Sequence, residues 1–497
     1  MLKYFWLTTY KRIHKHMITL EPQNGKEGKL WHRRDDNKIV CDLTPRHCVM
    51  KEGQKGFCGV RMNHGGKLMT VNYGRSVSMT EEVIETEAVY HYKPGAKILS
   101  LGNIGCMMNC DFCQNWETSQ VRKLDIRNVT EYTPEQIVDT AIKRGIKIIS
   151  WTYNDPVVWH EFVMDTAKLA KQHGLKNLYK SAFYITEQAA EELCEVIDIF
   201  SISLKSLDEQ FYKKITKAEL EPILKAIKTI AKHDIHLEIS QLVVTDLNDT
   251  DEESRNTARW IVDNLGTDIP LHYVRFHPNY KYMHVKRTSP KVLYQAKEIA
   301  ISEGIKHVYI GNLYEEGVSD TYCSSCNNTL ITRFGMDINS KGMSKDGTCL
   351  KCGDKPPIVF DDTSQNNGIN WRDNQKVISN LMENNQKRNI RFLWKKDINA
   401  LHLECNEDCE EMLIVITHYP SGHQQKYFVG EQYGLMRVMG SKSAKKDTYI
   451  EIDYYAKQRD CLNELGLLDR AHFPVNNLEI GSSYEARRNT NKTEGIS

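Results

Sequence analysis

The chain has 497 residues, 40% of them hydrophobic and 26% charged, and its 66 Lys and Arg against 65 Asp and Glu leave a net charge of +1. That balance argues against a protein that holds nucleic acid by bulk charge, and no run reaches the roughly 18 apolar residues that cross a bilayer. With Gly at 29 and Pro at 13, the composition is that of a globular chain of about three domains rather than a fibrous or low-complexity one.

Residues 1–27 read as an N-terminal tail: the short apolar patch near residue 5 is broken by Thr8 and Thr9, and basic residues follow it. That order, with no small-residue cleavage site, is wrong for a secretory signal. Residues 28–95 form a module rich in turn signals (Gly53, Gly56, Gly59, Gly65 and Gly66) that carries Cys41, Cys48 and Cys58. These three thiols either bind a metal, with His47 as a candidate fourth ligand, or are buried reduced cysteines. Fourteen cysteines gathered into clusters in a large chain point to metal ligation in a reducing, cytoplasmic compartment rather than to a disulfide framework.

Between residues 96 and 315, seven short apolar runs, at 97–103, 147–151, 177–182, 198–204, 236–244, 271–277 and 307–312, alternate with amphipathic segments. Thr133-Pro134-Glu135, Asn248-Asp249 and Thr288-Ser289-Pro290 read as helix starts; Gly174, Gly266 and Gly304 read as helix stops. Regular strand–helix alternation predicts an α/β fold with parallel strands and crossover helices. Directly after the first run stands Cys106-x3-Cys110-x2-Cys113. In parallel α/β barrels the chemistry sits in loops at the C-terminal ends of strands. A cluster of four irons held by three cysteines keeps one iron free to bind a small molecule.

Residues 316–360 carry Cys323-x2-Cys326 and Cys349-x2-Cys352. Two such knuckles complete a tetrahedron around one ion, as in a zinc ribbon or a rubredoxin-like iron site. Residues 361–389 are polar and Asn/Gln-rich, a composition that suits a linker or a solvated helix. From 390 to 497, short apolar runs separated by Gly, Ser, Asn and Lys predict a small β-rich domain. Cys405 and Cys409 read as free thiols that helical spacing would place on one face, and Cys194 and Cys461 stand alone.

The three-cysteine loop, with aromatic Phe112 before its last cysteine, resembles the signature of the radical SAM superfamily. The runs at 41–68, Trp151 to Pro156, Arg275 to Pro278 and Thr321 to Gly335 extend the likeness over residues 28–360. Together they resemble the AmmeMemoRadiSam system radical SAM enzymes, which are similar to pyruvate formate-lyase activating enzymes. The resemblance implies a partial (β/α)6 barrel, a 4Fe-4S cluster on Cys106, Cys110 and Cys113, S-adenosylmethionine, and a low-potential donor such as flavodoxin or ferredoxin. It agrees with the zinc-type spacing of Cys323, Cys326, Cys349 and Cys352 without settling the metal, and an iron–sulfur centre serving as an electron relay is the rival reading there.

The same resemblance gives roles to single residues. Tyr153, Asn154 and Asp155 stand where relatives hold the methionine amino group, though Asp155 is one methylene shorter than the usual Glu. Lys205 is expected to meet the cofactor carboxylate, with Ser203 in place of the usual Asp. His277 is expected to contact cofactor or substrate, or else to sit in the core; Phe112 is expected to pack on the adenine, or else in the core. Relatives often carry Asn-Gly after the third strand, where this chain has Ala182-Phe183, so a bulky ring is expected near the mouth. The implied activity is reductive cleavage of S-adenosylmethionine to a 5′-deoxyadenosyl radical that abstracts hydrogen from a protein or peptide. A small-metabolite substrate and a non-catalytic zinc-bearing scaffold are the competing readings; no nucleic acid and no membrane span are expected.

Overall fold

The computed structural model describes residues 20–360, apart from 314, 316, 335 and 336, and seven backbone strands between residues 387 and 469. The chain divides into two compact units, Met1–Gly368 and Ile369–Ser497. The proposed tail lies outside the described residues up to residue 19, and its end is structured. Lys26–Glu27 forms a strand against Lys67–Thr70, which also pairs with Arg61–His64.

The seven apolar runs form seven parallel strands in sequential order: Lys97–Gly102, Ile148–Thr152, Lys176–Ser181, Ile199–Ser203, His236–Val243, Leu271–Arg275 and Val308–Gly311. Each neighbour in sequence is the neighbour in the sheet, as short right-handed crossovers require. The eighth strand, Ser78–Val83, pairs antiparallel with Lys97–Gly102 at the edge. Its sequence, Ser-Met-Thr-Glu-Glu-Val, lacks the apolar run by which the others are recognised.

The helices begin and end for local reasons. Pro134–Lys143 opens with a capping box, the Thr133 hydroxyl accepting from Gln136 N and the Gln136 side chain from Thr133 N. Asp251–Leu265 is capped by Thr250, which accepts from Glu253 N, and not by Asn248 or Asp249. Asn248 is instead buried, donating to the carbonyls of Lys205 and Leu242 at 2.6 and 2.9 Å, so it ties together the ends of two strands. Gly266, at φ +99, ends the helix where an L side chain would be strained.

The two faces of the sheet differ in chemistry. Towards the helices lie large apolar groups: Trp159 stacks on Phe162 at 4.6 Å, and Tyr179 and Phe183 meet Phe200. On the opposite face, Ile98, Ile148, Leu178 and Ile199 form an apolar floor with Ile84, Val89 and Tyr92. Two residues further along each strand the same face turns polar, with Ser100, Ser150, Lys180, Ser201 and Glu238.

A buried polar network closes the floor. The Glu238 carboxylate accepts from the Tyr90 and His91 amides and from His236 and His272 at 2.9 and 2.7 Å. Burial pushes its pKa up, but these donors outweigh that and hold it well below the usual carboxylate range. From the cysteine module, Arg333 enters the same region. It donates to Tyr90 O at 2.8 Å and Thr321 Oγ1 at 2.7 Å, pairs with Glu85 at 3.3 Å, and lies 4.4 Å over the Tyr90 ring. Residues 321–360 are thus fastened to the segment of Glu85 and Tyr90 beside the sheet.

In the second unit, Lys387–Leu393, Tyr449–Ala456, Met412–Tyr419 and His423–Val429 form a four-stranded antiparallel sheet. Leu435–Met439, Ile398–Cys405 and Leu462–Asp469 form a three-stranded one. The first strand starts inside the polar segment read as linker. Cys405 ends a strand, so helical spacing with Cys409 does not apply to it; Cys409 and Cys461 lie outside the described residues.

Candidate functional site

The three-cysteine loop leaves the C-terminal end of Lys97–Gly102 and is fixed by backbone. Gly105, at φ +84, must be glycine, because a Cβ there would lie 2.8 Å from the Cys58 carbonyl. Asn109 N and Asp111 N donate to Thr216 O and Ile215 O at 3.0 and 3.1 Å, and the Asp111 carboxylate is held by Lys281 at 2.6 Å and Lys217 at 3.5 Å. Asn103 bridges the loop to the next turn, donating to the carbonyls of Gly105 and Asp155.

Burial raises the thiols of this loop, Cys106 well above its ordinary value and Cys110 to about 12; nearby Lys205 opposes the shift at Cys110 and Cys113. Three thiols raised in this way disfavour their own thiolate forms unless a positive centre compensates, and a bound metal is the strongest such centre. Among the described residues, two groups of three or more ligating side chains keep all their donor atoms within 4.8 Å of one another. The loop trio is not one of them. Tetrahedral sulfurs around one zinc stand about 3.8 Å apart, so this loop is too open for a single ion and fits the wider reach of a multi-iron cluster.

The four later cysteines are such a group. Cys323 and Cys352 sulfurs stand 3.6 Å apart and those of Cys326 and Cys349 3.7 Å, the spacing of a single tetrahedral ion. The other group is Glu191, Cys194 and His233, all on the surface or half-buried, so Cys194, solitary in sequence, has company in space.

Tyr153, Asn154 and Asp155 follow the second parallel strand beside the cysteine loop. Tyr153 adopts a left-handed backbone, φ +67, its hydroxyl on Thr80 and its carbonyl accepting from Asn115. Asn154 donates to Asn103 O at 2.6 Å and accepts from Thr118 at 2.9 Å. Asp155 caps the turn Pro156–Trp159 through Val157 N and also accepts from Ser181 Oγ and Ala182 N, both at 2.8 Å. Both its oxygens are therefore engaged within the fold.

Lys205 follows the fourth strand, its ammonium 5.8 Å from the Phe112 ring centre. Ser203 shares a 3.3 Å contact with Ser240. Phe112 is buried, 6.1 Å from Phe211 and 6.3 Å from Tyr282. His277 is half-buried, two residues past Leu271–Arg275, and engaged with neighbours. Phe183 does not crowd the mouth: it takes the left-handed conformation, φ +59, that the Asn-Gly turn of relatives would serve, and its ring is buried towards Tyr179 and Phe200. Its apolar ring gains more from burial than the strained φ loses, about 2 kcal/mol against about 1.

Cys41 and Cys48 face each other in register on adjacent antiparallel strands, and with Cys58 they line a small cavity beside Arg46 and Arg61. The Nδ1 of His47 is 3.0 Å from Asp42 Oδ1. Burial pushes the Cys58 thiol up to about 11. Glu87 and Lys180 were not singled out in the sequence. Glu87 is buried on the inner face, accepting from Ser150 and Thr152 at 3.1 and 2.7 Å; Lys180 donates to Ser201 and Ser240 at 3.0 and 2.9 Å. The signal was present: parallel strands covered on both faces read as continuous apolar runs, and these place a polar residue at one matching position in strand after strand.

A family model described as the radical SAM superfamily matches residues 101–261. An uncharacterized protein of Methanocaldococcus jannaschii is 37% identical over 342 residues, 67% of this chain and all of that one. The pyruvate formate-lyase-activating enzyme of Clostridium pasteurianum is 24% identical over 35% of this chain and 72% of its own length. For the 4-hydroxyphenylacetate decarboxylase activating enzyme of Clostridium scatologenes the identity is 24%, over 34% of this chain and 57% of that protein. A solved domain of the Bacteroides vulgatus pyruvate-formate lyase-activating enzyme shares 19% identity over 33% of this chain and 98% of that one, with a TM-score of 0.30. No helix among the described residues is long and apolar enough to cross a membrane. The family model falls on the strands and the cysteine loop that build the site, and the chain belongs to the radical SAM superfamily.

Proposed function

We propose that Cys106, Cys110 and Cys113 hold a 4Fe-4S cluster whose free iron takes S-adenosylmethionine. When bound, this pair supplies a 5′-deoxyadenosyl radical for hydrogen abstraction. The observation that carries the reading is the loop itself: three thiols, one buried and two half-buried, too spread for one ion, at the C-terminal mouth of a parallel sheet.

The chain's own groups have separate tasks. Lys205 offers a cation to a cofactor carboxylate and eases the thiolate form of Cys110 and Cys113. Asp155 braces the turn of Tyr153 and Asn154, so the ammonium of the cofactor would meet a preformed turn rather than a free carboxylate. Phe112 supplies apolar packing between loop and barrel, and His277 stands at the same end of the sheet. The four later cysteines hold a structural zinc, and a low-potential flavodoxin or ferredoxin donates the electron.

The inner face supports a reading of the substrate. Its layer of hydroxyls around Lys180 and Glu87 suits a small polar molecule drawn into the barrel. A protein or peptide substrate, as for activating enzymes, is the second reading, favoured by the two activating enzymes to which the chain is similar. The motifs at 41–68 and 321–335 support placement among the AmmeMemoRadiSam system enzymes, in the cytoplasm. Anaerobic protein reconstituted with iron and sulfide, then given S-adenosylmethionine and dithionite, is expected to release 5′-deoxyadenosine. The Cys110→Ala variant is expected to lose at least about 1,000-fold of that rate; wild-type protein that stays colourless and releases none would overturn the reading.

A further inference from the structure

An ammonium inside a protein ordinarily finds a carboxylate, because an unpaired buried charge is strongly disfavoured. Lys180 does not follow that rule. It sits on Lys176–Ser181 with Leu178 on the inner face, while Asn177 donates to Ala167 O on the helix side. Its hydrogen-bond partners are two neutral hydroxyls, Ser201 on the next strand and Ser240 on the one after. Among the described residues no carboxylate oxygen lies within ion-pair distance of it.

The side chain remains reachable. Lys180 is only partly buried although Tyr179 and Ser181 on either side are fully buried. Its surroundings are mixed in charge: Glu87 and Glu238 act on it as anions and Lys205 as a cation. Burial is the largest influence and lowers the lysine to about 8. A lysine that is desolvated, set beside a second cation and held by hydroxyls is the environment that makes an amine nucleophilic.

We propose that Lys180 is the substrate-binding residue of the barrel and forms a protonated imine with a carbonyl compound, an aldehyde or a 2-oxo acid. The ammonium first releases a proton, and the amine lone pair attacks the carbonyl carbon while the C=O pair moves to oxygen. The oxygen is protonated and leaves as water as nitrogen forms the C=N bond. The sum, ammonium plus carbonyl giving iminium plus water, involves no oxidant or reductant. Ser201 and Ser240 are placed to hold the nitrogen and to pass protons to the departing oxygen. The substrate assignment rests on the radical reading above in one respect: hydrogen removed from the carbon beside an iminium leaves a radical that the C=N bond delocalises.

The test is reductive trapping on the intact, anaerobic holoprotein without S-adenosylmethionine. Glyoxylate and cyanoborohydride are added at pH 7, and the modified lysines are mapped by peptide mass spectrometry against time. Lys180 is expected to be labelled first, on the order of 100-fold faster than an ordinary lysine, the ratio that a value near 8 sets against 10.5. The labelling rate is expected to rise with pH through a midpoint near 8, and in Lys180→Gln the fast label is expected to vanish while the slow surface labels persist. Ser240→Ala is expected to slow the fast label and move its midpoint while the slow surface labels persist, which separates the pocket from a misfolded barrel. Uniform slow labelling of all lysines overturns the inference, as does protection of Lys180 by glyoxylate with no covalent product, which would make it an anion receptor. Release of 5′-deoxyadenosine by the same preparation is measured separately, so failure of one reading is not failure of the other.

Discussion

The two cysteine sites of the first unit differ in how they confine their sulfurs. Cys323, Cys326, Cys349 and Cys352 come together at 3.6 and 3.7 Å with a full complement of four donors. The loop of Cys106, Cys110 and Cys113 keeps three donors wider apart. A closed set binds an ion to stabilise a fold; an incomplete set leaves room for a second molecule. The neighbours differ accordingly. The closed site is joined to the segment of Glu85 and Tyr90 through Arg333, whereas the open one faces Lys205 and the turn of Tyr153 to Asp155.

That contrast is open to attack from both sides. The sharpest break is Cys113→Ala against Cys349→Ala. The first is expected to remove iron and the visible absorbance while one equivalent of the other metal stays, measured by elemental analysis. The second is expected to reverse that pattern and to lower thermal stability by several kcal/mol. Equal loss of both metals in either variant would show a single, shared dependence on folding instead. Next in size, Arg333→Met leaves Glu85 buried without its cation, an expected loss of about 3–5 kcal/mol in denaturant unfolding. The double variant Arg333→Met with Glu85→Gln should recover a large part of that loss, which single-site damage would not.

Smaller still is Gly105→Ala, where the new Cβ meets the Cys58 carbonyl at 2.8 Å. It is expected to cost about 1–3 kcal/mol and to lower cluster content more than zinc content.

A further effect is on pH. Burial lowers His91 well below its ordinary value and lowers His272 as well. Folded protein thus binds these protons more weakly than unfolded chain. Their contribution is complete above the unfolded value of about 6.5 and falls as pH drops below it, by up to about 1.4 kcal/mol per pH unit for each group. Urea midpoints between pH 7 and 5 measure this, and His272→Asn should give a shallower slope.

The sequence made the strands and the cysteine motifs legible because each is local. Seven apolar runs, the Thr133 cap and the stop at Gly266 each declare themselves within a few residues. What it hid depends on distance or on broken rules. Ser78–Val83 joins the sheet through backbone alone, so its polar side chains concealed it. Glu238 becomes a hub only when His272, Tyr90 and His91 arrive from far along the chain. Asp155 carried the right charge at the right place, yet it is the fold that brings Ser181 and Ala182 to its oxygens. Phe183 suggested obstruction by size, and its backbone twist turned the ring away.

The strand Ser78–Val83 has one more effect. A parallel sheet that does not close has raw margins, and an uncovered margin invites stray chains to add on. Here one margin is hemmed by a reversed strand bearing Glu81 and Glu82, with Lys97 clasping Glu81 at 3.2 Å, and the other is only four residues long. Trimming that hem should leave a protein that clumps during synthesis before any cofactor could be loaded.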